Sequence, residues 1–263
     1  MKITNKYIII TGATGGLGGA LIKVLSQYEC HITAIGRNET VLQTLKKDYG
    51  VTPLVLDLTT IKDRERFSSY ASQYSADILI NCAAILNIEN FASCPENHID
   101  DVVAINLTAL MSTTRAVLPH MLKKTSPCKV INIGSVGGDL GLPYFTVYTA
   151  TKFAIKGFTE SLQRELGGTN TNAILIAPRA MKTPLMNEAA IGLLKAMFSQ
   201  MDPVDHVAHK IIRIIETDGV RMRIGLFERL GGLVNVIMPW TVDLLFRILT
   251  PIMKKHVDKM HKK

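Results

Sequence analysis

Cysteine is scarce in this chain, and the little there is forms no pattern. Its four cysteines, Cys30, Cys82, Cys94 and Cys128, show no CxxC spacing and no matching histidines. That excludes a disulfide framework or a finger-type zinc site and fits free thiols in a reducing compartment. Long apolar runs are missing as well: no uncharged stretch reaches the roughly 18–20 residues a membrane-spanning helix needs. The opening "MKITNKYIIITGATGG" lacks the long apolar segment and small-residue cleavage site of a secretory signal, so a cytoplasmic chain whose domain starts at once is expected. Acidic residues are outnumbered, with a net charge of +8, but residues 247–263 alone hold six basic side chains against Asp258, and residues 1–246 carry only +3. A nearly neutral body argues against a nucleic-acid groove and makes the basic tail a separate question. His206 and His209 stand three apart on an expected helix with no third ligand, so they read as surface histidines and no metal is expected.

What is present is a regular alternation. At 263 residues and 47% hydrophobic, the chain can bury the core of one large domain. Short β-branched runs recur at 6–11, 30–35, 52–57, 77–81, 128–134 and 171–177, with a weaker one at 222–227. Most are continuously apolar, as strands covered on both faces are. Segments long enough for helices lie between them, at 16–28, 38–48, 61–74, 98–124, 147–167 and 203–217. This predicts an α/β fold, a Rossmann-like doubly wound parallel sheet of six or seven strands in a single domain. In such a sheet ligands bind beyond the carboxyl ends of the strands, so residues just after strands matter most.

The first of these ends is "TGATGGLGGA", Thr11 to Ala20, with Gly12, Gly16 and Gly18 spaced G-x-x-x-G-x-G. Glycines there permit a tight turn and close approach to a pyrophosphate, and the next helix offers free N–H groups and the positive end of its dipole. The lysine of an ATP-hydrolysing phosphate loop is absent. Strand two ends in Gly36-Arg37, where an NAD site commonly has a carboxylate for the ribose 2′-OH. Arg37 can instead pair with a 2′-phosphate, which favours NADP(H). Asp57 could reach the adenine edge, and Asn81 to Ala84 put small residues where backbone passes the cofactor. In "VYTATKFAIKGF", Tyr148 and Lys152 lie one helical turn apart on one face. An ammonium beside a phenol is a way to make that tyrosine acidic near neutral pH.

Together these residues resemble the short-chain dehydrogenase/reductase family, over essentially residues 5–227. Thr11-Gly12-x-x-x-Gly16-x-Gly18 is similar to its cofactor turn and Asp57 to its adenine-side acid. "NCAA" at 81–84 is similar to its Asn-Asn-Ala-Gly motif, with departures at Cys82 and Ala84. Asn106 matches its helix-four asparagine, and Ser135, Tyr148 and Lys152 match its serine and Tyr-x-x-x-Lys. A further departure is Arg179, where the family usually has glycine after Pro178. The resemblance implies cofactor contacts from Thr11, Gly12, Thr14, Gly15, Gly16, Leu17 and Gly18. Further contacts are implied from Arg37, Asp57, Leu58, Asn81, Ala83, Tyr148, Lys152, Pro178 and Thr183. It implies catalysis by four residues. Tyr148 exchanges the proton, and Lys152 lowers the tyrosine pKa and binds the nicotinamide ribose. Ser135 orients the substrate oxygen, and Asn106 holds a water on a proton path. A homodimer or homotetramer is also implied. No G-x-S-x-G stands at a strand-to-helix turn and no His follows with a partner acid, so a serine hydrolase is disfavoured.

The expected activity is therefore NADPH-dependent interconversion of a carbonyl and a secondary alcohol. The alternative is a non-catalytic dinucleotide-binding scaffold or sensor of the same fold. The apolar run after Thr183, over about 183–201, reads as a cover for an apolar, lipid-like substrate within a catalytic domain of residues 1–230. Residues 231–263 read as a basic amphipathic helical tail. Val242, Leu245, Leu249, Ile252, Met253 and Met260 share one stripe, Pro251 is expected to split the helix, and Thr250 is expected to cap its second half. That stripe suits either peripheral contact of 240–263 with a membrane surface or packing on the enzyme body.

Overall fold

The computed structural model describes residues 1–183, 185–186, 188–196, 200–217, 221–223 and 226–260. Among these residues there are seven strands: β1 (Tyr7–Thr11), β2 (His31–Gly36), β3 (Thr52–Val55), β4 (Ile78–Asn81), β5 (Cys128–Ile133), β6 (Thr171–Ala177) and β7 (Arg221–Arg223). All pair in parallel, in the order β3-β2-β1-β4-β5-β6-β7. The order reverses between β1 and β4, which opens a crevice at their carboxyl ends.

The apolar runs are continuous because both faces of the sheet are covered. Ile8 and Ile10 of β1 face one core, which α1 (Gly16–Leu25) and α8 (Val204–Thr217) complete with Leu21 and Ile211. Ile9, one residue out of phase, faces the other core with Phe67 of α3 (Ile61–Gln73) and Val117 of α5 (Ala109–Leu122). Local signals set the helix ends. Asn38 caps α2 (Glu39–Tyr49) by accepting from the Val41 N–H at 3.1 Å, and Gly50 closes it at φ 68°. Thr60 caps α3 through the Asp63 N–H.

The helix expected over 98–124 is one continuous run from Glu96 to Leu122, but Ala104–Thr108 form a π turn between α4 (Glu96–Val103) and α5. By length and composition this run could cross a membrane; here its inner face is the second core. After α6 (Thr146–Glu165) and β6, α7 (Glu188–Ala196) precedes α8. The last strand is shorter than the expected 222–227 and ends at Arg223, and α9 (Leu226–Ile237) begins three residues later.

The expectation that Pro251 splits the tail is overturned: α10 runs unbroken from Pro239 to Met260 with Pro251 inside. Proline removes one hydrogen bond from a helix, but Leu249, Met253 and Val257 straddle it, all buried against Leu193 of α7. One packed face holds both halves in line. The single stripe expected in the tail is also divided. Leu249 and Met253 are buried, whereas Leu245 and Ile252 stay exposed. Met260's side chain and residues 261–263 lie outside what is described.

Candidate active site

A cavity of about 410 Å³ lies at the crevice, with the glycine turn at one end and Tyr148 at the other. Gly12 holds φ 66°, and a Cβ there would lie 2.7 Å from the Ala83 backbone. A Cβ on Gly18 would strike the Gly12 carbonyl. The turn is thus packed directly on the end of β4, and Thr11 ties the two by accepting from the Cys82 and Ala83 N–H groups at 3.1 and 3.2 Å. Helix α1 starts at Gly16 with no side-chain cap and no acid in its first turn. Its N–H groups are left to an anion, the arrangement a pyrophosphate needs.

Fourteen of the residues expected from the sequence line this cavity. Gly12, Thr14, Gly15, Gly16, Leu17 and Gly18 form one end, with Arg37 and Leu58 beside them. Ala83 lies between, and Ser135, Tyr148, Lys152, Pro178 and Thr183 form the far side. Thr11, Asp57, Asn81 and Asn106 are not in the lining. Thr11 is the tie just described. The Asp57 carboxylate is turned onto Thr59, accepting from its N–H at 3.0 Å and its hydroxyl at 2.7 Å. Asn81 belongs to a buried polar chain. Its amide donates to Thr114 and Asn132 and accepts from the Thr113 hydroxyl, and Asn132 donates to Thr159. That chain rivets β4 and β5 to α5 and α6.

Asn106 sits in the π turn, buried, and both ends of its amide are engaged. Oδ1 accepts from the Ile85 N–H at 2.8 Å, and Nδ2 donates to the Ile85 carbonyl at 3.0 Å and the Thr151 hydroxyl at 3.3 Å. It fixes the loop after β4 against α6, one residue from Lys152.

Ser135, after β5, accepts from the Gly137 N–H at 3.1 Å and lines the cavity with Tyr148. Lys152 Nζ donates to the Ile133 carbonyl at 2.9 Å and lies 5.4 Å from the centre of the Tyr148 ring. Burial pulls the Lys152 ammonium down to about 8, against a small opposing pull from Cys82. Burial pushes the Cys82 thiol up to about 12, so it is no nucleophile at neutral pH. The expected acidic tyrosine is overturned in this structure. Burial raises the Tyr148 hydroxyl above its ordinary value and Ser135 only partly offsets it. The Lys152 ammonium donates to Ile133 rather than to the phenol, so it gives the phenolate no hydrogen bond.

Arg179, the departure after Pro178, causes no strain: the only non-glycine residues with positive φ among those described are Asn5 and Tyr144. Its guanidinium grips the Asp202 carboxylate through two nitrogens, Nε at 2.8 Å, and reaches Gln200 at 3.0 Å. A planar fork on a carboxylate fixes both partners, and so ties the loop after β6 to the start of α8. Nothing in the sequence linked these two, 23 residues apart. The apolar end of the cavity was also only partly foreseen. Leu86, Met181, Leu185 and Met186 line it, and Tyr148 packs in a cluster with Phe145 and with Leu249 and Met253 of α10. The segment expected as a cover, 183–201, falls partly outside the described residues. No group of three or more His, Cys, Asp or Glu suited to a metal occurs among those described.

Comparison with known proteins agrees with this geometry. Residues 6–192 match the family model described as short chain dehydrogenase. A 3α-hydroxysteroid dehydrogenase from Mediterraneibacter gnavus is 28% identical over 208 residues, covering 76% of this chain and 83% of that protein. Among solved structures, 4-hydroxyisoleucine dehydrogenase complexed with NADH is 26% identical, with a TM-score of 0.74 over 81% of this chain and 92% of that one. A short chain dehydrogenase from Burkholderia cenocepacia in complex with NADP has a TM-score of 0.78 over 95% and 99% of the two chains. At 19% identity it bears on the fold alone.

Proposed function

This chain belongs to the short-chain dehydrogenase family and is a NAD(P)-dependent oxidoreductase acting on a CH–OH or C=O group, and from that premise we propose that it reduces an apolar, lipid-like carbonyl compound with NADPH. One observation carries the reading. A proton-bearing Tyr148 stands in one cavity with Ser135, Lys152, a glycine turn and Arg37. A scaffold or sensor has no use for that convergence.

The cradle fits a dinucleotide: Gly12 and Gly18 leave no room for side chains, and the N-terminus of α1 is uncapped. Bound there, the cofactor supplies the hydride. The chain supplies placement and the proton. Arg37 follows β2 beside the start of α2, with no carboxylate at the end of β2 to repel a 2′-phosphate. Tyr148, kept protonated through neutral pH by burial, donates to the substrate oxygen as charge develops on it, an effect worth about 10²–10⁴ in rate. Ser135 orients that oxygen. Lys152 places a positive charge under the tyrosine ring, and Asn106 acts as a positioning residue for Ile85 and α6. Leu86, Met181 and Met186 offer an adaptable apolar wall, and the resemblance to a hydroxysteroid dehydrogenase points to the same substrate class. Met111 and Phe153, exposed on α5 and α6, suit pairing of copies into a homo-oligomer.

Initial rates with NADPH and NADH, against apolar ketones and small charged keto acids, test the proposal. NADPH with the apolar ketones is expected to be preferred, and Arg37→Ala is expected to weaken NADPH binding about tenfold or more while sparing NADH. Equal use of NADH, or keto acids as the best substrates, contradicts it.

A further inference from the structure

From Leu230 to Val242 no side chain is charged, and this stretch forms an elbow. The helical segments Leu230–Ile237 and Pro239–Asp258 meet at a 115° bend. The outside of the elbow is apolar and uncovered. Leu233 and Ile237 of α9 and Trp240, Leu244, Ile248 and Ile252 of α10 are each 46–64% exposed. Single exposed leucines are ordinary; a continuous row of this kind on two adjoining helices marks a surface that meets something apolar.

Spacing around α10 divides it into three sides. Leu249, Met253 and Val257 face the body and are buried. Leu244, Ile248 and Ile252, at i, i+4 and i+8, face outward. Arg247 and Lys254, seven apart, share an edge with Asp243 and Asp258, one turn outside each, and Lys255 continues the outward face one turn beyond Ile252; all five are exposed. Trp240 stands at the bend, where an amphipathic ring suits a headgroup boundary.

We propose that this elbow is a docking surface for an anionic lipid bilayer, with the apolar side chains of α9 and α10 in the headgroup region and the α10 cations on the lipid phosphates. Charge decides the occupant. Residues 247–263 carry six basic side chains against Asp258, and two-fold pairing of copies would bring two such surpluses together, relieved only by Asp243 and Asp258. An anionic bilayer meets the apolar and the cationic parts together. The inner face of α10 joins the cluster around Tyr148. Where the substrate is apolar, as proposed above, the helix that lies on the membrane also packs in the cluster beside Tyr148. That last step rests on the proposed substrate class; the docking itself does not.

The test is flotation of the full chain with vesicles of phosphatidylglycerol and phosphatidylcholine against phosphatidylcholine alone, at low salt, beside sedimentation velocity without lipid. The variant carries Leu233→Glu, Ile237→Glu, Leu244→Glu and Ile248→Glu, all on the exposed face. NADPH affinity by fluorescence and turnover of a water-soluble ketone report on its fold and its chemistry independently of lipid. Docking predicts flotation with the anionic vesicles only, reduced about tenfold or more in the variant, with NADPH affinity and soluble turnover unchanged. Flotation that survives the four substitutions overturns the proposal, and so does no flotation at all. In the second case, a wild-type dimer that the substitutions split assigns the face to a second copy. If soluble turnover is absent while flotation holds, the proposed reaction falls and the docking stands.

Discussion

Lys152 is a charge held where the fold would sooner have none. Burial brings it to about 8 from an ordinary 10.5, so between those pH values the folded chain binds fewer protons than the unfolded one. The ammonium therefore destabilises the fold below about pH 8, and the penalty fades as pH rises towards 10.5. Lys152→Met is expected to abolish useful turnover yet stabilise the cofactor-free protein at pH 7 by about 1–3 kcal/mol, less the lost bond to Ile133, and to lose that advantage near pH 10.5. Urea unfolding at the two pH values checks both halves; a destabilised variant at pH 7 refutes the account. Activity carries the matching sign. Reduction needs the protonated phenol and a charged lysine, so its kcat/KM should fall as pH rises through about 8. Alcohol oxidation, which needs the phenolate, should gain only above the ordinary phenol value of 10.0. The sequence marked Tyr148 and Lys152 through their spacing, but not the direction of the tyrosine shift. Desolvation depends on what packs around the pair, and the cluster beside Tyr148 draws on Ile88, on α7 and on Leu249 and Met253 of α10, about a hundred residues further on.

At the scale of elements, the strands were legible because a strand covered on both sides has to be apolar throughout, and helix starts such as Asn38 and Thr60 announce themselves by their caps. The misreadings share a cause. The π turn at Asn106 and the unbroken α10 both depend on partners distant in sequence, Ile85 for one and α7 for the other. Neither leaves a local trace. Pro251 is a residual defect in a helix that packing keeps whole, so Pro251→Ala should stabilise the protein by about 1–3 kcal/mol in thermal or chemical unfolding. A loss of stability would mean that the proline sets the helix path. The buried chain through Asn81 is more exacting. Thr113→Val leaves the Asn81 carbonyl oxygen without its 2.7 Å donor and is expected to cost about 1–3 kcal/mol. Urea unfolding reads that loss directly, and a variant as stable as the parent would show that the chain is not the rivet described.

For the whole molecule, the reversal of strand order places the crevice, the glycine turn makes one end of it an anion cradle, and the segments after β6 make the other end apolar. Neither end alone identifies a reaction. Their meeting at Tyr148 does, and the most direct test is to remove one oxygen atom. Tyr148→Phe keeps the ring that packs with Phe145, Leu249 and Met253 and deletes the proton donor. Single-turnover oxidation of bound NADPH by an apolar ketone, measured beside NADPH affinity, is expected to slow by about 10²–10⁴ while the affinity stays within about twofold. Turnover retained in that variant, or lost only in step with NADPH affinity, would contradict the account.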